Sequence, residues 1–363
     1  MINLIASFIS GVLSLLPNKR NRVLFFGATY DKYSDNVKYV YEYYSCHKEI
    51  EAIWVTSSTE IYTYLNQKKY GVCLKGSFIS FYYLFTSRWY VSGETLVPKM
   101  YRLTNLFSKK ICVSHGFGPR TVIVADGCIF KSNDALRKAI NKYDYFIMPN
   151  QYLANTFGQQ SLDMNVSKIL LGQQPRILNF NKQVSATKAL YRIVYAPTWR
   201  QNGISAIELL KGLCQSEFDK LNEDLLENEC LLTVLSHPLV EDERDSVYSN
   251  IEFLSGPLID ATEIIYNSDM LISDYSSLIT DACAFNKKIA LYVPDYDYYQ
   301  FEYGMNTFLK FDLIGCEVTK ISDVFRIKDT KKQQDVKGYY AKYCNSDENI
   351  YQKITNIISE VRK

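Results

Sequence analysis

From Arg22 onward, short apolar runs rich in β-branched and aromatic residues alternate with segments of helical period. "RVLFFGA" (22–28), "EAIWVTS" (51–57), "YGVCLKG" (70–76), "RWYVSG" (88–93), "KKICVSHG" (109–116) and "YDYFIMPN" (143–150) have the length and content of buried strands. Amphipathic stretches such as 34–46 and 131–142 lie between them. A polar stretch around 179–189 interrupts the rhythm, which restarts with "YRIVYAPTW" (191–199), "CLLTVLSHP" (230–238), "IEFLS" (251–255), "DMLISD" (269–274) and "KKIALYVPD" (287–295). Strand–helix alternation of this kind predicts parallel sheets wrapped by helices, so the chain reads as two successive Rossmann-like α/β domains, 22–178 and 179–345. The closing segment 346–363 opens on Ser346 and an acidic turn and predicts a terminal helix.

Residues 1–21 follow a different pattern. Asn3, Ser7, Ser10 and Ser14 fall on one narrow polar stripe, Ile, Leu, Phe and Val surround it, Pro17 stops the run, and Lys19, Arg20 and Arg22 follow. The apolar stretch is shorter than the roughly 20 residues that span a bilayer, and it lacks a basic leader and a small-residue cleavage site. An amphipathic helix lying in a membrane interface, with its basic end on anionic head groups, is the expectation; the alternative is a helix packed on its own domain.

Charge sharpens this picture. The net charge of +2 divides into 20 Lys/Arg against 11 Asp/Glu over 1–175, or +9, and 21 against 28 over 176–363, or −7. The first half therefore favours anionic surroundings. No nucleic-acid-binding signature accompanies the charge, so a nucleic-acid partner is not expected. Nine cysteines, never closer than sixteen positions apart, have no metal-ligand spacing and read as reduced thiols, most of them small hydrophobes in strands. A chain of 363 residues, 47% hydrophobic and 22% charged, suits about two folded domains.

Ligands of open α/β sheets sit beyond the carboxyl ends of the strands, and here those ends carry the candidate chemistry. They read "SHGFGPR" after 109–114, "APTWR" after 191–196, "SHP" after 230–235, "SDYSS" after 269–273 and "PDYDYY" after 287–293. Ser276 and Ser277 open a helix whose free N–H groups favour phosphate, with Asp281 a turn further in, where it could accept from a ligand hydroxyl; plain capping by Ser276 is the competing account. His115 and His237 occupy corresponding positions in the two domains, each a general base or a hydrogen-bonded structural group. Gly116 and Gly118 permit close backbone approach beside Arg120. Arg176 in "GQQPR" and Arg200 in "APTWR" are planar anion forks. His47 reads as solvated. Asp295 and Asp297 form a DxD-like pair for which Mg²⁺ is possible but not implied, a loop role being favoured. Neither a dinucleotide GxGxxG fingerprint nor a Walker A sequence is present.

Taken in order and spacing, "SHGFGP", "GQQPR", "YAPTWR", "SHP" and "SDYSSLITDA" resemble the CDP-glycerol glycerophosphotransferase family, whose members build or prime teichoic-acid-like poly(glycerol phosphate). The resemblance covers roughly 100–310 by motif and, more loosely, the whole chain. It implies a GT-B fold, two Rossmann-like domains facing a cleft, and transfer of glycerol phosphate from CDP-glycerol to a hydroxyl of a lipid-linked or polymer acceptor with release of CMP. It implies His115 as base, with Gly116 and Pro119 approaching the reacting phosphate, and His237 in the "SHP" motif, after Ser236, as the second essential histidine. Arg176 would bind donor phosphate, Pro197 and Thr198 border the nucleotide with Arg200 beside them, Ser276 and Ser277 hold the pyrophosphate, and Asp281 hold a donor hydroxyl. No metal or other cofactor is required, and the implied location is peripheral, on the cytoplasmic face of the bacterial membrane, serving teichoic acid, capsule or O-antigen synthesis. The sequence departs from the family where Ser114 replaces the usual Trp and Phe117 and Gly118 follow Gly116, on the acceptor-facing side. A CDP-ribitol phosphotransferase, a nucleotide-sugar glycosyltransferase of the same architecture and a non-catalytic membrane-associated module are the other readings.

Overall fold

The computed structural model describes residues 16–27, 31–93, 107–117, 140–180, 190–198, 215–235, 248–303, 315–329 and 335–360. The expected N-terminal amphipathic helix, most of the 131–142 helix and most of the 179–189 linker lie outside them. The chain divides into two compact units. One takes the described residues through His115, those of 140–179 and those from Ser346 onward; the other takes 116–117 and the described residues from Phe180 to Asn345.

The first unit is built on a parallel seven-stranded sheet in the order β3-β2-β1-β4-β5-β6-β7. Its strands are β1 (Lys19–Phe26), β2 (Glu51–Thr56), β3 (Val72–Leu74), β4 (Ser87–Ser92), β5 (Lys109–Cys112), β6 (Tyr145–Met148) and β7 (Ile169–Leu171). Strands buried on both faces explain the unbroken apolar run Val23–Phe26. On one face Phe25 and Trp54 meet Tyr41 and Tyr44 of helix α1 (Asp35–Ser45), and helix α2 (Thr59–Gln67) follows β2. On the other, Leu24, Phe26, Ile53, Val55, Cys73 and Tyr90 pack against Leu84 of helix α3 (Phe78–Thr86). A right-handed crossover accounts for the switch of face, because α3 leads from β3 back across the sheet to β4.

Helix α3 is apolar on its outer side as well. Phe78 is 97% exposed, and Ile79, Phe81 and Tyr82 are also exposed, while Ser80 and Leu84 face inward. The 33 residues of 61–93 that contain this helix include no Asp or Glu, against Lys68, Lys69, Lys75 and Arg88.

Helix α4 (Pro175–Phe180) follows β7, and the chain's last helix, α10 (Ile350–Glu360), also packs in the first unit. Ile350, Ile354 and Ile358, spaced a turn apart, are fully buried. Gly172 lets this helix approach: a Cβ there would sit 2.8 Å from the Ile350 side chain. The helix begins later than its Ser346 signal predicts. Ser346 Oγ accepts from Glu348 N, whereas Asn349 Oδ1 accepts from Tyr351 N at 3.0 Å and supplies the cap.

The second unit repeats the architecture with a parallel six-stranded sheet ordered β10-β9-β8-β11-β12-β13. The strands are β8 (Tyr191–Tyr195), β9 (Cys230–Leu235), β10 (Ile251–Leu254), β11 (Met270–Ser273), β12 (Lys288–Tyr292) and β13 (Cys316–Val318). Helices α5 (Gln215–Glu227), α6 (Ala261–Tyr266), α7 (Leu278–Ala284), α8 (Tyr296–Tyr303) and α9 (Val336–Tyr343) accompany them. Phe218, Leu221 and Leu225 of α5 join Ile193, Leu232, Val234, Met270 and Ile272 in its core. Each sheet reverses its strand order once, between β1 and β4 and between β8 and β11, and such switch points are where parallel sheets open a ligand crevice.

Candidate active site

His115 follows β5, beside the first switch point. Sheet pairing ends at Val113 N, which donates to Ser92 O at 2.9 Å. Ser114 then takes φ +55°, a left-handed conformation that costs a non-glycine residue about 1–3 kcal/mol, and Gly116 has φ +119°. Between these two bends the imidazole is exposed, with Nδ1 3.4 Å from the Gly93 carbonyl. A carbonyl only accepts, so this contact requires the proton on Nδ1 and leaves the Nε2 lone pair to act as base.

The strained turn is held from below. Asn36, fully buried at the start of α1, donates from Nδ2 to Ser114 O at 3.0 Å and Val113 O at 3.2 Å. Arg176 Nη1 donates to His115 O at 2.9 Å and to Asp35 Oδ1 at 2.6 Å. Asp35 Oδ1 also accepts from Asn36 N, and Asn36 Oδ1 accepts from Arg176 N at 3.2 Å. Arg176, expected to bind donor phosphate, is thus 2% exposed and tied to the histidine's own backbone.

In the second unit the loops after β8 and β11 are sewn together. Ser273 Oγ donates to Ala196 O at 2.6 Å. Asp274 Oδ1 accepts from both Thr198 N and Thr198 Oγ1 at 2.7 Å and from Tyr275 N at 2.5 Å. This buried carboxylate fixes Thr198, beside half-buried Pro197, against "SDYSS". Tyr275 stacks on Tyr299 of α8 with centroids 3.7 Å apart, and its hydroxyl donates to Asp295 at 3.3 Å. Burial, and then the charge of Asp295, push the Tyr292 phenol up.

Ser276 and Ser277 are half-buried and differ in what they do. Ser276 Oγ accepts from Leu278 N at 3.2 Å, whereas Ser277 stands at the N-cap of α7 and makes no side-chain capping bond. Thr280 Oγ1 donates to Phe117 O at 3.3 Å, joining α7 to the residue after Gly116. Asp281, expected to hold a donor hydroxyl, is fully buried and accepts from Thr262 of α6 at 3.0 Å. Burial pushes the Cys283 and Cys344 thiols up, with the Asp281 charge adding to the effect, so this carboxylate contacts the interior of the fold.

Pro119, Arg200, Ser236 and His237 lie outside the described residues. Among the described residues no group of three or more His, Cys, Asp or Glu is placed to hold a metal, and no helix is long and apolar enough to cross a membrane. Asp35, Asn36 and Asp274 hold candidate-site residues in place, and sequence reasoning missed them. Asp274 had a signal, since it lies inside the quoted "SDYSS"; Asp35 and Asn36 had none, as their Arg176 partner is 141 and 140 positions away.

Each sheet thus carries polar groups beyond its strand ends near the point where its order reverses, and comparison with known proteins gives the class. The model of CDP-glycerol:poly(glycerophosphate) glycerophosphotransferases matches residues 9–360. The chain belongs to this family. Its membership bears out the resemblance over nearly the whole chain and makes it a glycerophosphotransferase of the CDP-glycerol class. A teichoic acid poly(glycerol phosphate) polymerase of Bacillus spizizenii is 23% identical, the match covering 94% of this chain and 92% of that one. A Staphylococcus aureus teichoic acid glycerol-phosphate transferase is 26% identical over 93% and 92%. The solved wall teichoic acid polymerase TagF superposes with a TM-score of 0.73 at 20% identity, over 99% of this chain and 95% of that one, which shows a common GT-B-like fold.

Proposed function

We propose that this glycerophosphotransferase moves glycerol phosphate from CDP-glycerol to a hydroxyl of a membrane-associated acceptor. His115 Nε2 takes the acceptor proton, the oxygen attacks the β-phosphorus, and the bond to the bridging oxygen breaks to release CMP. Ser276, Ser277 and His237 stabilise charge on the leaving phosphate. The observation that carries this reading is the knot at the second switch point, where Asp274 holds Thr198 against the loop after β11 and that loop ends at Ser277, whose hydroxyl makes no capping bond. The name of one solved relative records TagF soaked with CDPG.

The direct test incubates the protein with CDP-glycerol, CDP-ribitol or UDP-sugars and a lipid-linked glycerol-phosphate acceptor, and follows nucleotide release and product mass. CMP release with CDP-glycerol and not with CDP-ribitol supports the assignment; CMP release from CDP-ribitol in its place, or UDP release from a UDP-sugar, overturns it. The reaction needs no metal in this scheme, so turnover should persist in EDTA.

The same reading places the protein at the inner face of the membrane. Besides the segment 1–15, the exposed apolar face of α3 supports it. Aromatic and aliphatic side chains there are flanked by exposed Lys75 at one end and by exposed Arg20 near the other, next to Lys19, which pairs with Ser87 in the sheet and carries a salt bridge to Glu51. Apolar side chains with a cation at each end match an anionic lipid surface.

A further inference from the structure

We infer that Asn36 is a positioning residue for His115, setting the peptide planes from which the imidazole projects. The inference rests on the general-base reading of His115 given above. Beyond Val113 the sheet no longer directs the chain, and two left-handed residues, Ser114 at φ +55° and Gly116 at φ +119°, bracket the histidine. Its direction is then set by whatever holds the carbonyls of the turn. Three in succession, those of Val113, Ser114 and His115, are held by two side chains, Asn36 and Arg176.

Asn36 is the centre of this brace. In an extended strand successive carbonyls point in opposite directions; the bend at Ser114 lets one amide serve two of them. The side chain must donate twice and accept once from a single planar group, since Oδ1 takes Arg176 N at 3.2 Å while Nδ2 faces the two carbonyls and Gln174 Oε1 at 3.4 Å. An aspartate would set oxygen against oxygen, and alanine would reach neither. Burial is complete, so water does not substitute for the lost bonds. Asp35 completes the arrangement by accepting from both Asn36 N and Arg176 Nη1.

The test measures kcat and the CDP-glycerol dissociation constant for Asn36→Ala, His115→Ala and the double variant, with the lipid-linked glycerol-phosphate acceptor and a melting curve for each protein. A misdirected base lowers kcat by about 10²-fold while donor affinity stays within about twofold, the scale on which small displacements act. The double variant should be no slower than His115→Ala alone, because Asn36 works through the imidazole. Wild-type kcat in folded Asn36→Ala, an equal loss of donor affinity, or additive losses in the double variant overturn the proposal. Near wild-type turnover by His115→Ala removes the general-base reading and this inference with it; an inactive His115→Ala beside an active Asn36→Ala removes only the inference. Should Asn36→Ala melt below the assay temperature, Asn36→Ser and Asn36→Asp are judged on the same scale, and failure of all three to fold rejects positioning in favour of a folding role.

Discussion

Asp274 and Thr198, 76 positions apart, are joined twice over: one carboxylate oxygen accepts the backbone N–H and the hydroxyl of Thr198, each at 2.7 Å. Adjacent parallel strands β8 and β11 bring them together at the point where the sheet reverses its order. The geometries of the two loops are therefore coupled through one buried acid.

Replacing that acid separates the two. Hydrogen bonds to a charged group contribute about 1.5–3 kcal/mol each and do not add fully, so Asp274→Ala should lose about 2–4 kcal/mol of stability. Thr198→Val removes only the hydroxyl bond and should cost less, about 1.5 kcal/mol. If Thr198 borders the nucleotide, both variants should also bind CMP more weakly in the folded protein. Unchanged CMP affinity by calorimetry would confine Asp274 to holding the loop.

The two serines at α7 give a sharper contrast. Ser276 Oγ already accepts Leu278 N, whereas Ser277 makes no side-chain capping bond. Ser276→Ala should therefore cost about 0.5–1 kcal/mol of stability, and Ser277→Ala almost none. If the hydroxyls receive the donor pyrophosphate, Ser277→Ala should nevertheless bind CDP-glycerol more weakly, with CMP less affected because it lacks the second phosphate. Wild-type CDP-glycerol affinity in Ser277→Ala would remove this serine from the donor site.

Both motif histidines should matter to turnover. His115→Ala and His237→Ala are each expected to slow CMP release by at least about 10²-fold, the scale of acid–base and charge-stabilising groups. A folded His115 variant that works at near wild-type rate ends its assignment as base.

Most of the architecture was legible because buried parallel strands announce themselves as apolar runs, as in Val23–Phe26 and Met270–Ile272. β7 and β13 escaped notice because three-residue edge strands build no periodic signal; β3 is as short and as peripheral, and its apolar run stands out only between Gly71 and Gly76. The motifs located the switch-point loops but not the division of labour inside them. Arg176 and Asp281 look alike from sequence as polar residues near strand ends, and only packing reveals that one grips the His115 carbonyl and the other Thr262. Asn36 was unreadable, since a single asparagine in an amphipathic helix carries no mark of a partner 78 positions on.

Membrane attachment can be assigned between two parts of the chain. Deleting residues 1–17 tests the N-terminal stripe, and Phe78→Ser with Phe81→Ser tests α3; these two side chains are exposed, so the change should leave the fold intact. If α3 meets lipid, the double variant should sediment less with liposomes containing anionic lipid, since each buried aromatic contributes about 1.5–3 kcal/mol when fully removed from water. Wild-type binding should also weaken as salt is raised, because Arg20 and Lys75 would act over a distance of about 8–10 Å in ordinary ionic strength. Loss of binding on deletion alone, with the α3 variant unchanged, would assign attachment to residues 1–17. Unchanged sedimentation of both would mean that the outer face of α3 serves another partner, and a shift in oligomeric state between wild type and the Phe78/Phe81 variant would identify that partner as a second copy of the chain.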